Sequence, residues 1–265
     1  PDIIFRQELE NIRETILEKY NLEKICLLID EFQYIYDQIE KENLNASFMK
    51  NWKSFIESNL FSCVLFGQDT MEKFTEKYPN EFASLEKTRL DYLEKGHAIQ
   101  LIDKPIFDNT MNKSRYFDLD TTSMIYDFTA GNPFYIQKVC DKIVSVFNAK
   151  RLPVITKATI HEIFNSFTNG IDCLTMGDFD NLLNSGDQEL EKFSEDDKIF
   201  VLRQIPKKNE FGVCKIDDLE PPETGDKNEL NELIKDLLQR KIIYNDKGNL
   251  KIRVKLFERW IVHQN

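Results

Sequence analysis

The chain has 265 residues, of which 46 are acidic and 35 are basic, so its formal net charge is −11. This acidic balance argues against a general polyanion-binding protein, which usually carries a basic stripe. The sequence has no run of about 20 apolar residues that could span a membrane, and its first residues lack the apolar segment of a secretory signal. With 41% hydrophobic residues the chain can bury a core, which excludes wholesale disorder.

The five cysteines lie far apart and form no C-x-x-C pair. An odd, scattered set of this kind predicts neither a disulfide framework nor a zinc site. It is typical of a protein in a reducing compartment, so we expect a cytoplasmic location and no membrane contact.

The first hundred residues alternate between helical and strand patterns. Apolar residues recur at helical spacing over 5–20 and again over 32–60. Between and after these segments, 24–31, 61–66 and 97–102 are short apolar runs typical of strands. Continuously apolar strands that alternate with helices predict a parallel α/β sheet whose strands are buried.

The strand pattern stops after residue 105. Residues 111–129, 133–149 and 156–168 each have the spacing of an amphipathic helix, which predicts a small helical bundle. The acidic stretch 178–197 that follows is typical of a solvated connector.

The last seventy residues have a different order of elements. A helix is predicted from Ser194, a second one over 228–240, and a third around Trp260. Between the last two, the alternating segment 241–254 surrounds a turn that contains Gly248, which predicts a hairpin. Helix, loop, helix and hairpin are the order of a winged helix-turn-helix.

Two acids end the first predicted strand. Asp30 and Glu31 follow the apolar run Leu27-Leu-Ile29, so they lie at the carboxyl edge of the sheet, where open α/β folds bind ligands. An Asp there can hold Mg²⁺ through water beside nucleotide phosphates. A following Glu can orient an attacking water. An ordinary strand end with two solvated acids is the alternative.

The segment Leu27-Leu-Ile-Asp-Glu-Phe-Gln33 resembles the Walker B motif of P-loop ATPases of the AAA+/STAND group. Three later segments resemble successive parts of the same group in the same order, and a winged helix follows them: Val64–Gln68, Arg89–Pro105 and Thr129–Gln137. The resemblance implies an α/β plus α fold, with a partial P-loop NTPase parallel sheet, a helical lid bundle and a C-terminal winged helix-turn-helix.

The resemblance also implies a division of the chain into four parts. Residues 1–103 would form the distal part of the ATPase domain and 104–170 the helical lid. Residues 171–193 would form the acidic connector, and 194–265 the winged helix domain.

The same resemblance assigns roles to individual residues, with ATP or ADP and Mg²⁺ as the cofactors. Asp30 would assist the metal, Glu31 would activate water, and Gln68 at the end of the next strand would sense the γ-phosphate. The turn Gly131-Asn132-Pro133 would line the adenine. That turn has a simpler alternative, because glycine commonly ends one helix and proline commonly begins the next.

The sequence departs from this family at one motif. No G-x-x-x-x-G-K-[ST] segment occurs in it, although the backbone amides and the Lys of that loop hold the phosphates. We expect the loop to lie upstream of this chain, because Asp30 and Glu31 are intact, although a degenerate relative is the alternative. The chain by itself is expected to bind nucleotide poorly and to hydrolyse little.

Basic residues in and after the predicted hairpin are candidates for DNA contact through phosphates: Lys247, Lys251, Arg253 and Lys255. Their alternating pattern is also typical of any half-solvated strand. The helix over 228–240 carries several acids on its outward face, which is poor chemistry for reading DNA. The sequence therefore favours a winged helix that docks within the chain or on a protein partner.

These features predict a regulatory ATPase in which nucleotide binding and hydrolysis change the position of the lid and winged helix. A protein effector, or a homo-oligomer, would read that change. One alternative is a DNA-binding AAA+ module of the origin-recognition or transposition-regulator kind. Another is a catalytically dead adaptor that keeps the shape for protein contacts.

Overall fold

The computed structural model describes residues 2–20, 25–58, 61–68, 70–108, 113–114, 117, 119–151, 154–184, 192–210, 212–222 and 225–264. These residues divide into two compact units, one within residues 1–88 and one within residues 89–265. The four-part division predicted from the sequence stays a prediction. No helix in the described ranges is both long and apolar enough to cross a bilayer.

Among its described residues, the first unit contains one small parallel sheet and four helices. Their order is α1 (Asp2–Tyr20), β1 (Cys26–Ile29), α2 (Gln33–Glu40), α3 (Ser47–Glu57), β2 (Ser62–Leu65) and α4 (Thr70–Lys77). Strands β1 and β2 pair in parallel, with Cys26 opposite Ser62 and Ile29 opposite Leu65. The α/β character and the parallel pairing predicted from the two apolar runs are confirmed.

The sheet of the first unit differs from the prediction in its burial. Leu28 is 70% exposed and Val64 is 43% exposed, on the same face of the two strands. Side chains on a strand alternate between faces, so the neighbouring residues Leu27 and Cys63 lie on the other, half-buried face. Within the described residues this sheet has two strands only.

Aromatic side chains form the core of the first unit. Helix α3 buries Met49, Trp52 and Phe55, which recur every three residues and so share one face. The buried ring of Phe74 from α4 stacks on Phe32 at 5.8 Å between ring centroids and meets the edge of Phe82 at 5.0 Å. Offset-stacked and edge-on rings with centroids at these distances are favourable arrangements of aromatic pairs.

The second unit begins with helices where the sequence pattern suggested a strand. Its first elements are α5 (Lys95–Asp103), the short antiparallel pair β3 (Phe107–Asp108) and β4 (Lys113–Ser114), α6 (Leu119–Thr129), α7 (Pro133–Lys150) and α8 (Lys157–Asn169). The predicted strand over 97–102 is wrong, because this segment lies in α5. Ala98 and Ile102, four residues apart, face α6 and α7 from one side of the helix.

The predicted helical bundle is confirmed, with one corrected boundary. Helices α6, α7 and α8 pack against one another as expected. However, the helix predicted over 111–129 begins only at Leu119, because residues 113 and 114 pair with 107 and 108 in strands. Thr156 caps α8 by accepting a hydrogen bond from the Thr159 amide to its Oγ1 at 3.3 Å.

The winged helix-turn-helix is present in the predicted order. It consists of α10 (Glu195–Glu210), α11 (Lys227–Gln239), β5 (Ile243–Asp246), β6 (Asn249–Ile252) and α12 (Lys255–His263), and it follows the single-turn helix α9 (Asp180–Leu183). Strands β5 and β6 are antiparallel, and both turn residues, Lys247 and Gly248, have positive φ angles of 54° and 93°. Two consecutive positive φ angles are typical of a two-residue type I′ hairpin turn, whose twist matches that of the flanking strands.

The lid helices and the winged helix share one core. Helix α12 packs against α6, α8 and α10. Trp260 of α12 donates a hydrogen bond from Nε1 to the Leu174 carbonyl at 2.6 Å, and its ring lies 4.7 Å from that of Phe179. Phe179 and Leu183 are fully buried although they fall in the stretch predicted as a connector. Residues 185–191 of that connector lie outside the described residues.

Candidate functional site

The carboxyl ends of β1 and β2 bring the predicted catalytic residues to one edge of the sheet. The Phe66 amide donates to the Ile29 carbonyl at 2.8 Å, and the Phe32 amide donates to the Phe66 carbonyl at 2.9 Å. These bonds continue the pairing past the last strand residues. Glu31 and Gln68 are therefore held next to each other, as the parallel arrangement requires.

Glu31 has a left-handed backbone conformation, with φ of 53°. Such an angle is uncommon for a residue other than glycine and occurs often at functional sites. The Asp30 side chain supports the turn, because its Oδ1 accepts a hydrogen bond from the Glu31 amide at 2.9 Å. The turn directs the Glu31 carboxylate toward Gln68, whose Nε2 lies 3.5 Å from Glu31 Oε1.

Gln33 completes this arrangement, although the sequence pattern by itself indicates no role for it. Its side chain, only 5% exposed, donates from Nε2 to Glu31 Oε2 and accepts at Oε1 from the Gln68 amide at 3.4 Å. Gln33 lies on the same buried helix face as Tyr36 and Ile39. A polar residue at a buried position of an apolar helix face is the signal that could have identified it.

Gly67, the residue before Gln68, leaves room for this network. A Cβ atom on Gly67 would lie 2.6 Å from Gln33 Oε1 and 2.4 Å from Met71 Cγ. Real Cβ atoms do not approach other atoms so closely. Gly67 therefore leaves the space that the Gln33 amide uses.

The acids at this edge suit magnesium by their chemistry. Mg²⁺ prefers oxygen ligands, keeps several waters, and usually takes only one or two carboxylates together with substrate phosphates. The adjacent carboxylates of Asp30 and Glu31 supply such oxygens. Among the described residues no cluster of three or more His, Cys, Asp or Glu side chains could hold a metal ion. A site made entirely of protein ligands is therefore not formed by this part of the chain.

The predicted adenine-binding turn belongs to the second unit. Ala130 and Gly131 have left-handed φ angles of 53° and 80°, which end α6. Asn132 then caps α7, since its Oδ1 accepts hydrogen bonds from the amides of Phe134 at 3.0 Å and Tyr135 at 3.4 Å. Pro133 occupies the first position of the helix. The turn thus ends one helix and begins the next, which is the simpler of the two roles expected from the sequence.

The turn also packs tightly on the segment that precedes α5. The Leu93 amide donates to the Gly131 carbonyl at 2.9 Å. Tyr92, the residue before Leu93, is partly buried, and this burial raises the pKa of its hydroxyl. Burial likewise raises the pKa of Tyr135 in the first turn of α7. Both phenols therefore stay protonated at neutral pH.

The four candidate DNA contacts do not form one set of unpaired cations. Lys251 pairs with Asp246 at 2.7 Å within the hairpin, and this hydrogen bond raises the pKa of the Lys251 ammonium. Arg253 is 28% exposed and pairs with Asp91 at 3.3 Å. Lys247 is exposed at the hairpin turn and Lys255 at the start of α12.

Neither a protein-family model nor a curated protein sequence matches the chain. Among solved structures, the ORC2 protein of Aeropyrum pernix in its ADPNP–ADP complexes resembles it with a TM-score of 0.56 and 11% identity. That match covers 96% of this chain and 68% of ORC2. The RuvB Holliday junction branch migration motor of Thermotoga maritima gives a TM-score of 0.42 at 15% identity, covering 92% and 71%. The likeness to ORC2 shows the fold alone: the chain has part of an AAA+ P-loop ATPase fold.

Proposed function

We propose that this chain is the distal part of a regulatory ATPase of the AAA+/STAND kind, which binds and hydrolyses ATP. The observation that carries the proposal is the contact between Glu31 and Gln68 at the carboxyl edge of two parallel strands. Ligands of open α/β sheets bind at this edge. The AAA+ fold and the left-handed backbone at Glu31 support the same assignment.

In this proposal Glu31 orients the attacking water and accepts its proton. The 3.5 Å contact from Gln68 is long for a hydrogen bond, so Gln68 can exchange Glu31 for a phosphate oxygen at small cost. Gln33 acts as a positioning residue, because it stays buried and keeps its bonds to both neighbours. Asp30 would hold Mg²⁺ through water, and the chemistry that such an ion would supply is neutralisation of charge on the phosphates.

The lid turn would contribute the base contacts. Since Asn132 Oδ1 already accepts two backbone N–H groups, we expect the base to meet the backbone of the turn and the Pro133 ring. The phosphates require a loop that this sequence does not contain. We therefore propose that hydrolysis depends on a phosphate-binding loop supplied from outside these 265 residues.

The test compares two Glu→Gln variants of the complete natural protein. Glu31→Gln should keep ATP affinity and lose turnover by about a hundredfold or more, the contribution of a general base. Glu42→Gln is the matched control, because Glu42 is exposed, also has a positive φ of 58°, and lies away from the strand ends. Unchanged turnover in Glu31→Gln would remove Glu31 from the mechanism. A complete protein with no ATP turnover would favour the catalytically dead adaptor.

For the macromolecular partner we propose a protein effector or a second copy of the chain. Acids on α11 and the ion pairs of Lys251 and Arg253 make this winged helix a poor DNA surface. DNA stays the second candidate. A salt-dependent affinity for duplex DNA that is lost in Lys247→Glu and Lys255→Glu would favour it.

A further inference from the structure

One carboxylate joins the segment before α5 to both ends of the winged-helix hairpin. Asp91 forms ion pairs with Lys241, which precedes β5, and with Arg253, which follows β6. The two cations are 150 and 162 residues away from Asp91 in the sequence. On its other side the same segment is tied to the lid turn by the hydrogen bond from the Leu93 amide to Gly131.

Arg253 contacts two consecutive residues of this segment. Its Nη1 lies 3.3 Å from Asp91 Oδ1, and its guanidinium carbon lies 4.4 Å from the centre of the Tyr92 ring. A guanidinium stacked on an aromatic face is held by a cation–π interaction in addition to the ion pair. An isolated exposed ion pair contributes little, but a carboxylate shared by two cations, one of them stacked, forms a network.

The ionisation of Asp91 agrees with this geometry. Burial by itself would raise the pKa of its carboxyl group. Hydrogen bonds from Lys241 and from the Tyr92 amide, together with the charge of Arg253, lower the pKa overall. Asp91 is therefore ionised at neutral pH and attracts both cations.

We propose that Asp91 is a latch that holds the winged-helix hairpin on residues 91–93, and that Lys241 and Arg253 can meet another anion only after Asp91 releases them. The inference is independent of the proposed ATPase function, because every contact in it lies within the second unit. It gives Arg253 an intramolecular partner in place of the DNA contact considered from the sequence. Through residues 91–93, the latch also connects the lid turn to the winged helix.

Amide hydrogen exchange at Leu93 in the full chain measures the latch directly, because this amide must break its bond to Gly131 in order to exchange. Asp91→Asn removes the charge but keeps a side-chain oxygen for the Tyr92 amide, which donates to Asp91 Oδ1 at 2.8 Å. We expect Leu93 to exchange about fivefold faster in this variant, the upper end for a partly exposed ion-pair network. Asp246→Asn is the matched control, since Asp246 pairs with Lys251 inside the hairpin. It should leave Leu93 unchanged.

Salt provides a second measurement on the same chains. NaCl at about 1 M shortens the Debye length to about 3 Å, comparable to the 3.3 Å between Arg253 and Asp91, so Leu93 exchange should accelerate in the unmodified chain. In Asp91→Asn the same salt should have little effect, because the attraction that it screens is already absent.

A double-mutant cycle decides whether the residues act as one unit. Arg253→Gln and Asp91→Asn combined should accelerate Leu93 exchange by less than the product of the two single effects, because both substitutions remove the same Arg253–Asp91 ion pair. If Arg253→Gln unfolds the second unit, Lys241→Gln takes its place in the cycle. A double variant whose acceleration equals the product of the two single effects would overturn the latch. Equal Leu93 exchange rates in Asp91→Asn and Asp246→Asn would also overturn it.

Discussion

The carbonyl oxygen of Leu93 lies where Gly131 leaves room for it: a Cβ atom on Gly131 would be only 2.1 Å away. In return, the Leu93 amide donates to the Gly131 carbonyl at 2.9 Å. Gly131 also has a φ of 80°, a conformation that side chains rarely adopt. One glycine therefore ends α6, allows Asn132 to cap α7, and admits the segment that Asp91 connects to the winged helix.

Gly131→Ala should destabilise the second unit by about 2–4 kcal/mol, from backbone strain together with the forced displacement of Leu93. Gly96→Ala is the control, because no atom lies within 4 Å of its added Cβ and the site is helical. That change should be neutral or stabilise the unit by up to about 1 kcal/mol.

The measurement can be confined to the second unit. The chain has two tryptophans, Trp52 in the first unit and Trp260 in the second. Denaturant unfolding followed by fluorescence in a Trp52→Phe background therefore reports on Trp260 alone. Equal midpoints for the two alanine variants would contradict the close approach of Leu93.

Gln33→Leu should lower ATP turnover of the complete natural protein by at least about tenfold while changing nucleotide affinity little. The substitution leaves Glu31 without its buried donor, and misplacement of a reacting group reduces the rate of the chemical step. Steady-state kinetics that separate kcat from KM provide the measurement.

The matched control for Gln33 is Gln38→Leu in the same helix. Gln38 is exposed, and its side-chain Oε1 accepts a hydrogen bond from Asn43 Nδ2 on the surface at 3.2 Å. Equal kinetics for both variants would show that Gln33 has a packing role only.

Trp260→Phe should cost the second unit about 1–3 kcal/mol beyond the lost apolar contact, because the buried Leu174 carbonyl loses a donor at 2.6 Å. Trp52→Phe should lack this penalty in the first unit, since the buried Nε1 of Trp52 has no hydrogen-bond partner among the described residues. Hydrogen exchange measured separately in the two units compares the variants. A larger loss in Trp52→Phe would contradict the argument.

Phe74→Ala should destabilise the first unit by about 3–5 kcal/mol, the usual cost of removing a fully buried phenylalanine ring. Its ring contacts those of Phe32, Tyr36, Tyr78 and Phe82. Phe48→Ala is the control, because Phe48 is half-buried and stacks on Trp52. Trp52 fluorescence in a Trp260→Phe background measures both changes, and equal losses would be inconsistent with Phe74 at the centre of this core.

The sequence by itself determined those features that depend on short-range periodicity. Continuous apolar runs identified β1 and β2, and the two strands, once parallel, carried Glu31 and Gln68 to one edge. Alternation around Gly248 identified the hairpin. Each of these patterns is set by neighbouring residues in the sequence, so it can be recognised without knowing which distant residues the segment contacts.

Where a segment fitted both the helical and the strand period, only the tertiary structure decided which element formed. Residues 97–102 are apolar enough for a strand, but Ala98 and Ile102 also lie one helical turn apart, and the neighbouring helices select that face. The role of Gln33 depends on the space beside Gly67, which a neighbouring strand end provides. The contact of Asp91 with Arg253 spans 162 residues. Such pairings follow from how whole elements pack together, and no local pattern in the chain encodes them.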